Sequence, residues 1–357
     1  MLKRVLVVNP FGIGDVLFSM TLVEAVKQFS PQTRIGFLCN ERTEALVKMN
    51  RSVDDVFVFN RDRLRALRKE SLFPFLKELG RLLGEVRKAR FDTMIDLSLG
   101  REFNFFAMCL GIPNRIGLDH KGRGVFLTKR KKINGYTGQH AADTQLSLLE
   151  LMGISYEKER LRPSLAVSPE LKSRADDMLH MRGMVGSDRF VAAAPGGGRS
   201  WGKDAIFKQW EPERFGQALE RYCQARGLRV VLLGDAGERE LLERTASFLR
   251  VKAAIFAGEP LENVAALLLR SELLLCNDGG LLHLANALGV KTVSIFGPVD
   301  EKVYGPYHNG VAREVVTQSV PCRPCYTKFH FPPCPHNRRC LDELTVEKVV
   351  QSLEKMK

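Results

Sequence analysis

The residues Asp278-Gly279-Gly280-Leu281-Leu282-His283 have the types and the order needed to hold an anion. A short apolar run at 273–276 reads as a buried parallel strand. The following Asn277-Asp278-Gly279-Gly280 reads as a tight turn into a helix over 281–288, which Gly289 stops. Glycine lets backbone approach a ligand closely, and Asp278 is the expected N-cap. The free amides of the first helical turn, carrying roughly half a positive charge, suit a phosphate or diphosphate. His283 lies about one turn in, on the side of Gly279 and Gly280, within reach of the same anion. A histidine alone on an apolar helix reads as a core residue with a satisfied ring; the adjoining turn favours the ligand reading.

Three more turns share this design. Gly196-Gly197-Gly198 follows an apolar run at 190–194, and again permits close approach to phosphate. Gly234-Asp235-Ala236-Gly237-Glu238 follows a strand at 229–233, with Glu238 placed to contact a nucleoside. Asn9-Pro10-Phe11-Gly12-Ile13-Gly14-Asp15 follows a strand at 2–8, but the sixth position counted from Gly12 is Leu17, so the dinucleotide fingerprint is missing. Asp15 taken alone reads as the N-cap or first-turn acid of a helix over 16–29.

The elements that must position these turns alternate as in α/β proteins. Further strands are expected at 34–39, 55–59 and 93–97, the last ending near Asp96, with a helix over 43–49 and the first domain's last helix at 140–152. Residues 155–169 read as a linker, so a first domain is expected at 1–165 and a second at 166–357. Strand ends on one edge of a parallel sheet make a ligand crevice. Residues 61–90 form one long basic helical stretch with Leu64, Leu67, Leu72, Phe75, Leu76, Leu79 and Leu82 as its apolar set and a possible break at Pro74. Such a stripe packs on a sheet or lies on a membrane. Arg115, Lys121, Arg123 and the run 129–132 read as a loop-rich basic surface.

A chain of 357 residues exceeds a single core, and 45% hydrophobic content fits a globular protein. No apolar run reaches the roughly eighteen residues that span a bilayer, and the first strand passes directly into a turn, so a cytoplasmic protein without a signal peptide is expected. The net charge of +13 implies an acidic partner: a phosphorylated substrate, an anionic membrane surface or nucleic acid. Nucleic acid is disfavoured, because no recognition motif is present and the cations are not interleaved with aromatics.

Residues 277–307, NDGGLLHLANALGVKTVSIFGPVDEKVYGPY, together with GIGDVL at 12–17 and KQWEP at 208–212, resemble the ADP-heptose:lipopolysaccharide heptosyltransferases, glycosyltransferase family nine. The resemblance implies a GT-B architecture of two Rossmann-like domains facing across a cleft. It implies an inverting, metal-independent transfer of heptose from ADP-L-glycero-D-manno-heptose to the lipopolysaccharide inner core, with no cofactor. Asp15 would be the base acting on the acceptor hydroxyl in the first domain. Lys208, Gly197, Glu238, Asp278, Gly279, Gly280, Leu281 and His283 would bind the ADP-sugar in the second. The enzyme would lie peripherally on the cytoplasmic face of the inner membrane, meeting its anionic surface. Two departures stand out: Gly279 replaces the family's usual Ser or Thr, removing one hydroxyl contact to phosphate, and Glu211 intervenes between Trp210 and Pro212. Rival readings are a GT-B transferase or epimerase for another nucleotide sugar, and a nucleotide-binding scaffold, which has no need of Asp15.

Of the eight cysteines, Cys322, Cys325, Cys334 and Cys340 cluster as C-x2-C-x8-C-x5-C among prolines. Four thiolates can close a structural zinc site, although the second pair lacks the C-x2-C knuckle. Cys39, Cys109, Cys223 and Cys276 are scattered and read as buried thiols.

Overall fold

The computed structural model describes residues 2–307 and 310–356. They form two compact units, Met1–Ala166 and Val167–Lys357.

In the first unit the strands are β1 (Arg4–Val8), β2 (Arg34–Cys39), β3 (Asp55–Val58), β4 (Thr93–Asp96), β5 (Asn114–His120) and β6 (Lys129–Ile133), all paired in parallel in the order β3-β2-β1-β4-β5-β6. The second unit has β7 (Phe190–Ala194), β8 (Arg229–Gly234), β9 (Ala253–Ala257), β10 (Leu274–Asn277), β11 (Thr292–Phe296) and β12 (Arg313–Thr317), again all parallel, in the order β12-β11-β10-β7-β8-β9. Read from its other edge, this is the order of the first sheet. Each unit is therefore a Rossmann-like doubly wound sheet, whose order reverses beside β1 in one and beside β7 in the other. Ligands bind at such reversals, outside the carboxyl ends of the strands. The glycine turns at 9–15, 195–198 and 277–280 leave β1, β7 and β10, three of the four strands that flank the two reversals.

The central strands are apolar throughout because helices cover both faces. Val5, Val7, Ile35, Phe37 and Ile95 are fully buried in one sheet; Val191, Val230, Leu232, Leu275 and Val293 pack with Trp210, Phe215 and Leu341 in the core of the other.

Four sequence expectations need correction. The helix expected at 16–29 is Ile13–Phe29, with Gly12 as its N-cap, so Gly14 and Asp15 lie inside the first turn. The stretch 61–90 is two helices, Arg61–Glu70 and Leu72–Lys88, divided at Ser71. Pro74 stands in the first turn of the second helix, where its missing amide would have had no partner, so it starts that helix instead of breaking it. The basic run 129–132 is no loop: it is most of β6, an edge strand. Three of its cations are engaged: Lys129 Nζ donates to Leu151 O (2.7 Å), Lys131 Nζ to Ser147 Oγ (2.8 Å), and Arg130 stands 3.6 Å from the Asp119 carboxylate. The cysteines at 322, 325, 334 and 340 form no zinc shell: among the described residues no group of three or more His, Cys, Asp or Glu is arranged to hold a metal. All four are free thiols. Cys334 Sγ accepts the Arg338 amide (3.5 Å), and burial first, then the neighbouring thiols, pushes Cys340 up to about 11.

Candidate functional site

At the end of β1, Asn9 is fully buried and fastens the turn. Its amide nitrogen donates to Asp15 O (2.9 Å) and Ser19 Oγ (3.2 Å), and its Oδ1 accepts the Phe11 amide (3.2 Å). Asn40, beyond β2, donates from Nδ2 to Pro10 O (2.9 Å) and to Phe11 O. The helix start is thus held from two sides, and its N-cap glycine offers no side chain to its first amides. Asp15 is half-buried in this turn. Asp96, level with Val8 on the neighbouring strand, accepts from the Ser98 amide (2.9 Å) and from Asn104 Nδ2 (3.2 Å), and burial raises its carboxyl. These bonds account for it as a structural residue.

In the second unit another buried asparagine does the fastening. Asn277, the last residue of β10, donates from Nδ2 to Pro195 O (2.6 Å) and accepts the Trp210 amide at Oδ1 (3.2 Å). Trp210 is itself fully buried, with Nε1 donating to Leu344 O (3.3 Å). One side chain therefore ties the glycine turn after β7, the 208–210 segment and the turn after β10. Neither asparagine is singled out by sequence reasoning; their shared place, last at an apolar strand and just before a glycine turn, is the signal that finds them.

This tie brings Lys208 to Asp278. Lys208 Nζ stands 2.8 Å from Asp278 Oδ2, although off the axis of a hydrogen bond, with side-chain exposures of 9% and 5%. Asp278 is therefore not the helix N-cap expected from sequence. Gly279 caps Gly280–Ala287 and contributes no side-chain bond, so the first-turn amides meet no capping group. The carboxylate turns instead to the cation, because a charge taken this far from water needs an opposite charge beside it. Lys208 Nζ also lies 4.8 Å over the Trp201 ring.

The remaining expected residues gather at the same strand ends. A Cβ on Gly197 would stand 2.3 Å from Ala205 O, so glycine there lets the backbone lie against the 3-10 segment that carries Lys208. Glu238 is engaged in a capping box: its carboxylate accepts the Asp235 amide (3.0 Å) and lies where a Cβ on Gly196 would be. Gly279 has extended backbone (φ −176°, ψ −179°) with no clash awaiting a Cβ. Leu281 is half-buried and His283 buried in the helix behind it. Asp15 belongs to the other unit.

Sequence reading also misses the wall of this site. Trp201 packs on Tyr326 (5.1 Å) and Phe331 (5.2 Å), and Phe331 on Phe207 (5.1 Å). Arg323 anchors this cysteine- and proline-rich segment to the loop after β11, donating to Gly297 O, to Val299 O (3.1 Å) and to Glu301 (2.8 Å). The amides of Cys325 and Tyr326 both reach Pro298 O (2.9 and 3.1 Å). In sum, the second unit offers an anion a row of uncapped amides, a restrained ammonium group and an aromatic wall.

The sequence profile of glycosyltransferase family 9 (heptosyltransferase) matches residues 79–331. Lipopolysaccharide heptosyltransferase 1 of Pseudomonas aeruginosa is 25% identical over 370 residues, covering 99% of this chain and 98% of its own length. Among solved structures, a family 9 glycosyl transferase from Veillonella parvula superposes with a TM-score of 0.81 at 21% identity, covering 99% of this chain and 97% of that one. The Escherichia coli heptosyltransferase WaaC with ADP superposes with a TM-score of 0.74 at 20% identity, covering 99% of this chain and 100% of that one. The two Rossmann-like units are thus those of a GT-B-like fold.

Proposed function

The chain belongs to glycosyltransferase family 9, and from that membership we propose that it transfers heptose from ADP-L-glycero-D-manno-heptose to the lipopolysaccharide inner core, with inversion at the anomeric carbon. The observation that carries this reading is the buried Lys208–Asp278 pair set beside an uncapped helix start. Such a constellation suits a diphosphate leaving group: the amides after Gly279 and the Lys208 ammonium stabilise the charge that grows as ADP departs. Asp278 acts through Lys208, holding its ammonium in place, and His283 supports the phosphates from the first helical turn. Asp15 takes the proton of the acceptor hydroxyl as its oxygen attacks the anomeric carbon, and the bond to ADP breaks on the opposite face. Donor and acceptor roles fall to the second and first units respectively.

The acceptor's lipid places the reaction at the cytoplasmic face of the inner membrane, and we assign the enzyme there as a peripheral protein. Among the described residues no helix is long and apolar enough to cross a membrane. The deciding experiment is turnover of ADP-heptose with a series of truncated core acceptors. Heptose should appear on one of them with ADP released; efficient transfer from another nucleotide sugar and none from ADP-heptose would overturn the donor assignment.

A further inference from the structure

The helix Leu72–Lys88 presents two apolar faces, and the fold uses one. Phe75, Leu79, Leu82 and Val86 recur at helical spacing, with Leu82 and Val86 buried against Phe91 and Met94. Leu72, Phe73 and Leu76 project off that stripe and remain 63%, 76% and 52% exposed. Single exposed apolar residues need no explanation, but three large ones among five consecutive residues do. They stand among cations: Arg65, Arg68, Lys69 and Lys77 are all exposed and make no ion pair among the described residues. Arg63 and Arg81 differ, pairing with Glu78, and Arg81 also with Glu85; Arg61, Arg87 and Lys88, farther along the two helices, make no ion pair among the described residues either.

We propose that Leu72, Phe73 and Leu76 form a wedge that enters the interfacial layer of an anionic lipid bilayer, while Arg65, Arg68, Lys69 and Lys77 pair with its headgroups. The argument is one of complementarity. An apolar patch flanked in sequence by four unpaired cations, with Glu70 the unpaired acid among them, matches a surface that is anionic outside and hydrocarbon within, and a basic amphipathic helix lies in that boundary with its apolar side chains inserted. Each cation near such a surface strengthens binding about fivefold, and that part fades with salt. The apolar part persists, so the wedge gives the contact a salt-resistant component that charge alone lacks. The inference deepens the peripheral-membrane reading above and rests on it.

The test uses the full chain with vesicles of pure phosphatidylcholine or of phosphatidylcholine with phosphatidylglycerol. Wild type should bind anionic vesicles far more tightly than neutral ones and keep a weaker, salt-resistant binding to both, and a Phe73→Trp variant should shift its added fluorescence to the blue and be quenched by lipids brominated near the headgroup. The combined variant Leu72→Ser, Phe73→Ser, Leu76→Ser should lose at least tenfold in vesicle affinity and keep its turnover on a delipidated core acceptor. Replacing Arg65, Arg68, Lys69 and Lys77 with Gln should abolish the preference for anionic vesicles. If wild type binds and the serine variant binds as tightly, the wedge is wrong and the membrane reading survives. If wild type binds neither vesicle, both fail, whatever the turnover. Self-association of wild type that the serine variant abolishes, without vesicle binding, would assign the patch to a second copy and also overturn the proposal.

Discussion

Asp15 and the Lys208–Asp278 pair call for different kinds of substitution. Asp15 has one proposed task, to accept a proton, so Asp15→Asn keeps its size and removes its basicity. Transfer should fall by about a hundredfold or more while ADP affinity, measured by calorimetry, stays near wild type. Full activity in the folded variant would remove Asp15 from the mechanism. Lys208 has two tasks, holding a phosphate and neutralising Asp278. Lys208→Ala should therefore weaken ADP binding by about 1–3 kcal/mol and destabilise the fold by about 3 kcal/mol by leaving a carboxylate buried without its cation. Adding Asp278→Asn should restore thermal stability and leave the affinity low. If the double variant is as unstable as the single, the pair does not contribute as described; if Lys208→Ala and His283→Ala both bind ADP normally, the donor site is elsewhere. The sequence makes Lys208 and Asp278 visible as separate residues but not as a pair, because pairing depends on Asn277 joining segments 67 and 82 residues away.

At the scale of elements, the turns are legible because glycines after apolar runs punctuate the chain, yet what each glycine does is not. Gly197 and Gly279 look equivalent in sequence and are opposite in structure. A side chain at 197 would drive into Ala205 O, displacing the segment that carries Lys208, whereas a Cβ at 279 makes only an ordinary contact, 3.9 Å from Asn277 O. Gly197→Ala should lower the melting temperature and raise the KM for the donor; Gly279→Ala should fold as well as wild type. Equal stability in both would show that the 3-10 segment yields freely. The helix Ile13–Phe29 supplies a pH dependence of its own. Its Glu24 accepts from Ser52 Oγ (2.9 Å) and the Ser164 amide (3.2 Å), tying the helix to the last residues of the first unit. Burial, outweighing these bonds, raises its carboxyl above the ordinary 4.5. A carboxyl raised on folding gives its stabilising contribution in full below the unfolded value and loses it as pH rises through the folded one. Glu24→Gln does not titrate, so its melting temperature relative to wild type should climb from pH 4.5 upward; a flat difference would mean the hydrogen bonds cancel the burial.

For the whole molecule, the alternation of strands and helices was enough to expect two parallel-sheet units, since period and glycine punctuation are local properties. The edge position of residues 129–133 was not, because four consecutive cations carry no alternation and look like any solvated loop. Their place in the sheet gives the +13 charge of the chain another meaning. A sheet ends in unpaired amides and carbonyls that invite a further strand. Here the last strand is Lys129-Arg130-Lys131-Lys132-Ile133, and two copies laid edge to edge would set like charge against like along most of its length. The strand that closes the first sheet is thus also what discourages one molecule from templating the next, so neutralising these cations would trade solubility for aggregation even where the fold and the donor site remain intact.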